Sequence, residues 1–411
     1  VAAGPGAILE VAGWPTGQGL AEVLAPLDAR PAAGSADLPP WSSGWLGMVG
    51  YEARSGVEAT PPPRPVPLDL PTIWFGRYEE VVAFDHRRGR VVAVAAADDA
   101  AAARARARRL ANEVEALATV EEPAAARGEG VRARPPRPQG TRETHLEAVR
   151  AAREAILAGD LFQTNISQRL DARIEGPSVA WFARLVAAQP APYMTFLDLG
   201  RGRAVLSASP ERFLRLRGRV VETEPMKGTR PRGAKAAEDR ALAQALRDSV
   251  KDRAELAMIV DLARNDLARS CRAGSVRVVA ARRLVRYDRV HQAIGIVRGV
   301  LRPGVDRLAA LAAAFPPGSV TGAPKVRAME VLDALEGEGR GPYCGALGWL
   351  DDRGGMDLAV AIRTIVRHGT RASYRVGGGI TLGSDPQAEW EETITKGRGL
   401  FAALAGREDT T

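Results

Sequence analysis

The sequence is poor in cysteine. Cys271 and Cys344 stand alone, with no Cys-x-x-Cys or histidine spacing around them. A disulfide scaffold and a zinc site are therefore not expected, and a reduced, cytoplasmic setting fits best. No apolar run reaches the roughly 18 residues that a membrane-spanning helix needs. Residues 1–6 carry neither the basic nor the apolar region of a secretory signal, so export is not expected. Aromatic residues make up only 5% of the chain, too few for a platform on which nucleic-acid bases would stack. The net charge of +8 would permit a nucleic-acid partner. The arginines are spread along the chain, however, as in residues 104–109 and 282–289. They read as a solvated surface whose field would attract anionic substrates, and no nucleic-acid or membrane partner is expected.

What is present is a normal apolar content, 45% of 411 residues, enough for one large domain or two ordinary ones. Residues 1–118 form a first region. Ile8, Ile73 and Val91 open short β-prone runs, and residues 98–117 are an alanine- and arginine-rich helix. In residues 44–52, Gly44, Gly47 and Gly50 interleave with bulky groups, as backbones packed closely inside a sheet require. Residues 119–140 lack apolar periodicity and read as a linker. Residues 141–411 have a different texture. Thr141 caps a helix that Gly159 ends. In the strand that follows, Phe162, Thr164 and Ile166 point one way, and Gln163, Asn165, Ser167 and Arg169 the other. That polar face is either solvated or lines a site. One helix is expected over about 238–263, another after Pro324, and a last one from about Ser384 to Leu404.

Several clusters could carry chemistry. On the last helix Glu389, Glu392 and Lys396 share one face. Glu255 precedes a buried-looking apolar run on another helix. Two carboxylates from separate helices suit Mg²⁺, which completes its shell with water and an anionic substrate; a surface ion-pair ladder is the plainer reading. Residues 318–325, GSVTGAPK, miss the phosphate-loop pattern but end at a helix N-terminus, which favours a phosphate or a carboxylate. Gly377, Gly378 and Gly379 either admit a ligand close to the backbone or make a tight turn. Arg363 interrupts an apolar strand and suits a bidentate anion. Lys227, beside Met226 and Gly228, either pairs with Glu224 or Glu211 or loses its proton and acts as a nucleophile.

Taken in order, these blocks resemble the chorismate-binding enzymes: anthranilate synthase component I, aminodeoxychorismate synthase component I, and the isochorismate and salicylate synthases. The resemblance rests on residues 159–169 (GDLFQTNISQR), 209–213 (SPERF), 224–233 (EPMKGTRPRG), 255–267 (ELAMIVDLARNDL), 318–325 (GSVTGAPK), 343–349 (YCGALGW), 361–364 (AIRT) and 377–396 (GGGITLGSDPQAEWEETITK), with 44–52 (GWLGMVGYE) in the first region. It implies an α+β fold, a two-layer β-sheet core flanked by helices, with the active site in a cleft of the C-terminal part. It implies Mg²⁺ on Glu255 and Glu392, with Glu389 linked through water, holding the ring carboxylate of chorismate. Tyr343, Arg363 and the backbone of Gly377, Gly378 and Gly379 would hold carboxylates, with Lys396 adding charge and Thr321 beside the ring. Glu211 matches the acid that protonates the departing C4 hydroxyl, and His291 matches the family's active-site histidine.

Two positions separate the subfamilies. Isochorismate and salicylate synthases have a water-activating lysine where this chain has Gln163, and a neutral amide cannot serve as that base. Ammonia is therefore the expected nucleophile, delivered by a separate glutamine amidotransferase subunit. At Lys227, anthranilate synthases typically have alanine and aminodeoxychorismate synthases have lysine. The resemblance thus implies an aminodeoxychorismate synthase component I, with anthranilate synthase component I as the alternative. Residues 7–11 (AILEV) only faintly resemble the tryptophan-binding motif of the feedback-inhibited members.

Overall fold

The computed structural model describes residues 4–15, 17–28, 37–117 and 119–405. Residues 1–3 of the expected leaderless start, and the expected domain boundary at 118, lie outside them. Among the described residues the chain builds a ten-stranded and a seven-stranded antiparallel sheet and a two-stranded one. Met48, Trp74 and Leu347 of the ten-stranded sheet pack against Leu197, Leu199 and Val205 of the seven-stranded sheet. The alternate residues Ala204, Leu206 and Ala208 face outward, onto Trp181 and Leu185 of the helix Ser178–Ala188 and Leu400 and Leu404 of the helix Pro386–Ala405. Helices on the other side cover the ten-stranded sheet through Leu256, Val260 and Leu311. The order of layers is helix, sheet, sheet, helix, as two one-sided apolar faces require. This is the α+β two-layer core expected.

The glycines of residues 44–52 have the role their spacing suggested. The strand Gly44–Val49 runs between Ile73–Tyr78 and Ala346–Asp351, and a Cβ on Gly47 would lie 2.0 Å from the carbonyl oxygen of Trp74. The first region thus shares a sheet with the C-terminal region rather than folding apart from it.

Two expectations need correction, and one of two open readings falls away. Residues 119–140 are not wholly a linker: Arg132–Pro138 forms a strand against Gln163–Glu175. Pro135 and Pro136 hid it, because proline is tolerated only at a sheet edge or bulge, and the register shifts there, between Arg134 and Arg137. The helix expected over 238–263 is two, Ala236–Asp248 and Val250–Ala268. Ser249 leaves the helical conformation and its hydroxyl accepts from the Asp252 amide, capping the second. Gly377, Gly378 and Gly379 make no turn; they sit inside the strand Arg371–Ile380, paired with Ser167, Ile166 and Asn165.

Candidate active site

The seven-stranded sheet presents two different faces along that glycine strand. A Cβ on Gly377 would meet the Tyr343 hydroxyl at 2.8 Å. One on Gly379 would meet Lys227 Nζ at 2.7 Å and Gln163 Nε2 at 3.0 Å. Gly378 points the opposite way, and its Cβ would lie 2.8 Å from Glu389 Oε2. A Cβ on Gly377 would also lie 2.5 Å from the Ile166 carbonyl oxygen, so backbone crowding requires glycine there, whereas at Gly378 and Gly379 the crowding groups are the movable ends of Glu389, Lys227 and Gln163.

Lys227 lies on the strand Met226–Pro231, where the pairing with Val290–Val300 is irregular between Met226 and Thr229. The bulge turns Lys227 toward Gly379 of the other sheet. Burial holds its ammonium below the ordinary lysine range, and neighbouring Lys396 adds to this; Glu255, Glu392 and Glu211 pull the other way. These groups converge around one amine. A depressed lysine pKa raises the fraction of free amine, the nucleophilic form.

Glu211 is 4% exposed. Burial pushes its carboxyl up to about 7, against the opposing pull of the Ser319 hydroxyl, Lys227, the Met226 amide and Arg363. Ser319 Oγ donates to Glu211 Oε1 at 2.6 Å. A carboxyl that stays protonated near neutrality can serve as a general acid. Arg363 has φ +52°, in the left-handed region. Burial lowers its pKa, with Glu211 opposing, and its guanidinium has no hydrogen bond or ion pair among the described residues. A half-buried cation without a hydrogen bond, on a strained backbone, points to an anionic guest. Gln163 is fully buried, with neither amide atom hydrogen-bonded. The polar face of its strand therefore lines a site rather than solvent.

Glu255 and Glu392 are each close to a lysine: Glu255 lies 3.9 Å from Lys251 and Glu392 2.6 Å from Lys396. Lys396 also donates to the Gly377 carbonyl at 3.0 Å. Glu389 lies beside Glu392: a Cβ on Gly378 would meet Glu389 Oε2 at 2.8 Å and Glu392 Oε1 at 3.8 Å. Glu389 Oε1 accepts from Ser384 at 2.7 Å, and burial raises its pKa. Among the described residues no group of three or more carboxylate, histidine or cysteine side chains is gathered closely enough to hold a metal.

Other expected residues have hydrogen-bond partners within the protein. The Thr321 hydroxyl donates to Pro317 O at 2.9 Å and is committed to its own turn. The hydroxyl that reaches Glu211 is that of Ser319, which nothing in the local sequence pattern singles out. Lys325 anchors the same loop through Asp266, at 2.7 Å, and the Ala314 carbonyl, and is not an anion cradle. His291 Nε2 contacts Asp239 Oδ1 at 2.8 Å, and Asp239 also binds Arg232 and the Gly233 amide. That cluster pins the helix Ala236–Asp248; His291 pairs with Arg230 on the strand that carries Lys227, but among the described residues its ring makes no hydrogen bond to Lys227 or Glu211. The next residue, Gln292, faces the opposite side of the strand, is 1% exposed and has neither amide atom bonded.

A buried acid, a depressed lysine, an unpaired arginine and two convergent glutamates make a site for a small anionic substrate. The sequence profile of chorismate binding enzymes matches residues 11–402. Anthranilate synthase component 1 of Streptomyces coelicolor is 40% identical over 92% of this chain and 76% of its own length. An aminodeoxychorismate synthase of Streptomyces griseus is 39% identical over 89% of this chain and 51% of its own. The crystal structure of anthranilate synthase component I from Streptococcus pneumoniae superposes with TM-score 0.83 at 30% identity, over 97% of this chain and 91% of that one. The chain belongs to the chorismate-binding enzyme family and is a chorismate-utilising enzyme.

Proposed function

We propose that this enzyme converts chorismate and ammonia to 4-amino-4-deoxychorismate, with Lys227 as a covalent nucleophile. The observation that carries this reading is the Lys227 amine, drawn below its ordinary pKa and set against Gly379 and Gln163 with a neutral-leaning Glu211 nearby. The free amine attacks C2 of chorismate. The ring double bonds shift, and the C4 hydroxyl departs with the Glu211 proton as water. Ammonia then attacks C4, the double bonds shift back, and the lysine leaves C2 as a free amine. The new C4 ammonium returns a proton to Glu211. Atoms and protons balance, and the enolpyruvyl group stays on the ring.

Arg363 and Tyr343 would bind carboxylates, and Gln163, a neutral amide, leaves water without a base. Glu255 and Glu392, carboxylates from two helices that both act on Lys227, would hold Mg²⁺. Mg²⁺, when bound there, would neutralise the ring carboxylate as charge develops. Glu389, held by Ser384, would act only through water. A glutamine amidotransferase subunit would supply the ammonia.

A second reading, anthranilate synthase component I, is favoured by the names of the S. coelicolor and S. pneumoniae relatives. Incubation with chorismate, Mg²⁺ and ammonium, followed by mass analysis, separates the two. A product that retains the enolpyruvyl group supports amination at C4, and anthranilate with pyruvate sinks it.

A further inference from the structure

Tyr343 lies in a turn, between Arg340 and the strand Ala346–Asp351, where Tyr343 N donates to Arg340 O and Gly345 N to Pro342 O. No strand ladder fixes its ring, yet its hydroxyl is seated over Gly377. The ring sits in the apolar core of the ten-stranded sheet, its hydroxyl reaches the Asn165 side chain, and a guanidinium packs over it. Arg340 is 5% exposed and stacks between two tyrosines, with its Cζ 4.9 Å from the Tyr51 ring centroid and 5.7 Å from that of Tyr343.

That guanidinium has almost no freedom. Its Nε and Nη2 donate to the two oxygens of Glu336, each at 2.8 Å. Nη2 also donates to Asn165 O at 2.6 Å, and Nη1 to Val320 O at 3.2 Å. Glu336 in turn accepts from the Ser167 amide and hydroxyl, and Arg375 lies 3.2 Å away. Asn165 is two residues from Gln163 and Val320 is one from Ser319. One buried cation therefore ties the polar strand, the Ser319 loop and the Tyr343 turn into a single frame.

We propose that Arg340 is a positioning residue for chorismate: locked by Glu336, it fixes the Tyr343 ring and so places the hydroxyl that meets the substrate. Lysine cannot reproduce the planar fork or the stack. Arg340→Lys leaves the charge and lets the ring wander. The inference rests on Tyr343 touching chorismate, and not on which product forms.

A double-mutant cycle on the chorismate KM and kcat tests it. Tyr343→Phe and Arg340→Lys are each expected to raise the chorismate KM about tenfold, with kcat changed less than about threefold. In the Tyr343→Phe background, Arg340→Lys should add less than about a twofold change. Arg77→Lys, which disturbs a buried bidentate pair with Asp352 elsewhere in the ten-stranded sheet, serves as control: it should lower Tm without moving KM. Equal losses in both backgrounds, an unchanged KM in Tyr343→Phe, or a Tm loss alone in Arg340→Lys would overturn the proposal. If Arg340→Lys does not accumulate as folded protein, Glu336→Gln takes its place in the cycle, with the same expected and overturning results. Product mass is read in the same assays, so anthranilate would sink C4 amination while leaving the cycle to be judged by its own numbers.

Discussion

Glu211 and Glu336 are buried to nearly the same degree, and their surroundings drive them apart. Glu336 is held by Arg340, Arg375 and Ser167, and its carboxyl falls to about 2 despite burial. Glu211 meets one hydroxyl, one backbone amide and two more distant cations, and its carboxyl rises to about 7. Burial is common to both; the number of donors in contact decides the sign. The first is an anchor that stays ionised, and the second is an acid that can give up a proton. The region around Glu336 is built for fixity and the region around Glu211 for reaction.

The largest effect should come from the reacting side. Lys227→Ala is expected to reduce aminodeoxychorismate formation by at least about a hundredfold, measured by product mass and rate. Near-native turnover to that product would end the covalent role. Glu211→Gln comes next, with kcat lower by about 10²–10⁴-fold. The same change should stabilise the protein in alkali. A raised carboxyl pKa means the folded state holds its proton after the unfolded state has lost it. Stability therefore declines as pH rises from the ordinary carboxylate range to about 7. The shift corresponds to about 3 kcal/mol, so at pH 8 Glu211→Gln should raise the urea midpoint. A lowered midpoint would show that the carboxyl is no burden to the fold.

Glu336→Gln should do the reverse. Its lowered pKa contributes stability that is present above the ordinary carboxylate range and lost as pH falls toward about 2. The loss at pH 7 is expected to be about 3 kcal/mol, with a flatter acid limb in unfolding titrations. An acid limb unchanged by the substitution would break the comparison. The smallest effect concerns His291. His291→Asn should lower Tm by a few degrees through the Asp239 cluster, while kcat/KM moves less than about threefold. A hundredfold kinetic loss would return the histidine to the active site.

Much of this contrast was legible in the sequence, and the reason is local. Glu211, Lys227 and Arg363 each stand out against apolar or glycine neighbours, and the strand alternation placed Gln163 on the right face. Ser319, Arg340 and Glu336 were invisible because their meaning comes from partners far along the chain. Arg340 meets Asn165 and Tyr51, and Ser319 meets Glu211. Periodicity reports which face a residue takes, not which distant group waits there. One step along a strand reverses the face: His291 turns to Asp239, and the neighbouring Gln292 has the open amide. The Arg132–Pro138 strand was hidden by prolines that an edge position tolerates.

The three consecutive glycines have a consequence for anyone wishing to redirect this enzyme. Tyr343, Glu389 and the pair Lys227 and Gln163 press on one bare ribbon from its two sides. The ribbon works as a gauge: its thickness, a single backbone, sets how far apart the amine and the carboxylates stand. Libraries that vary Gln163 or Lys227 keep that spacing and can change the chemistry. A methyl group on Gly377 would meet the Ile166 carbonyl oxygen at 2.5 Å and should cost more activity than one on Gly378 or Gly379, where the ends of Glu389, Lys227 and Gln163 can shift, whichever nucleophile the variant carries.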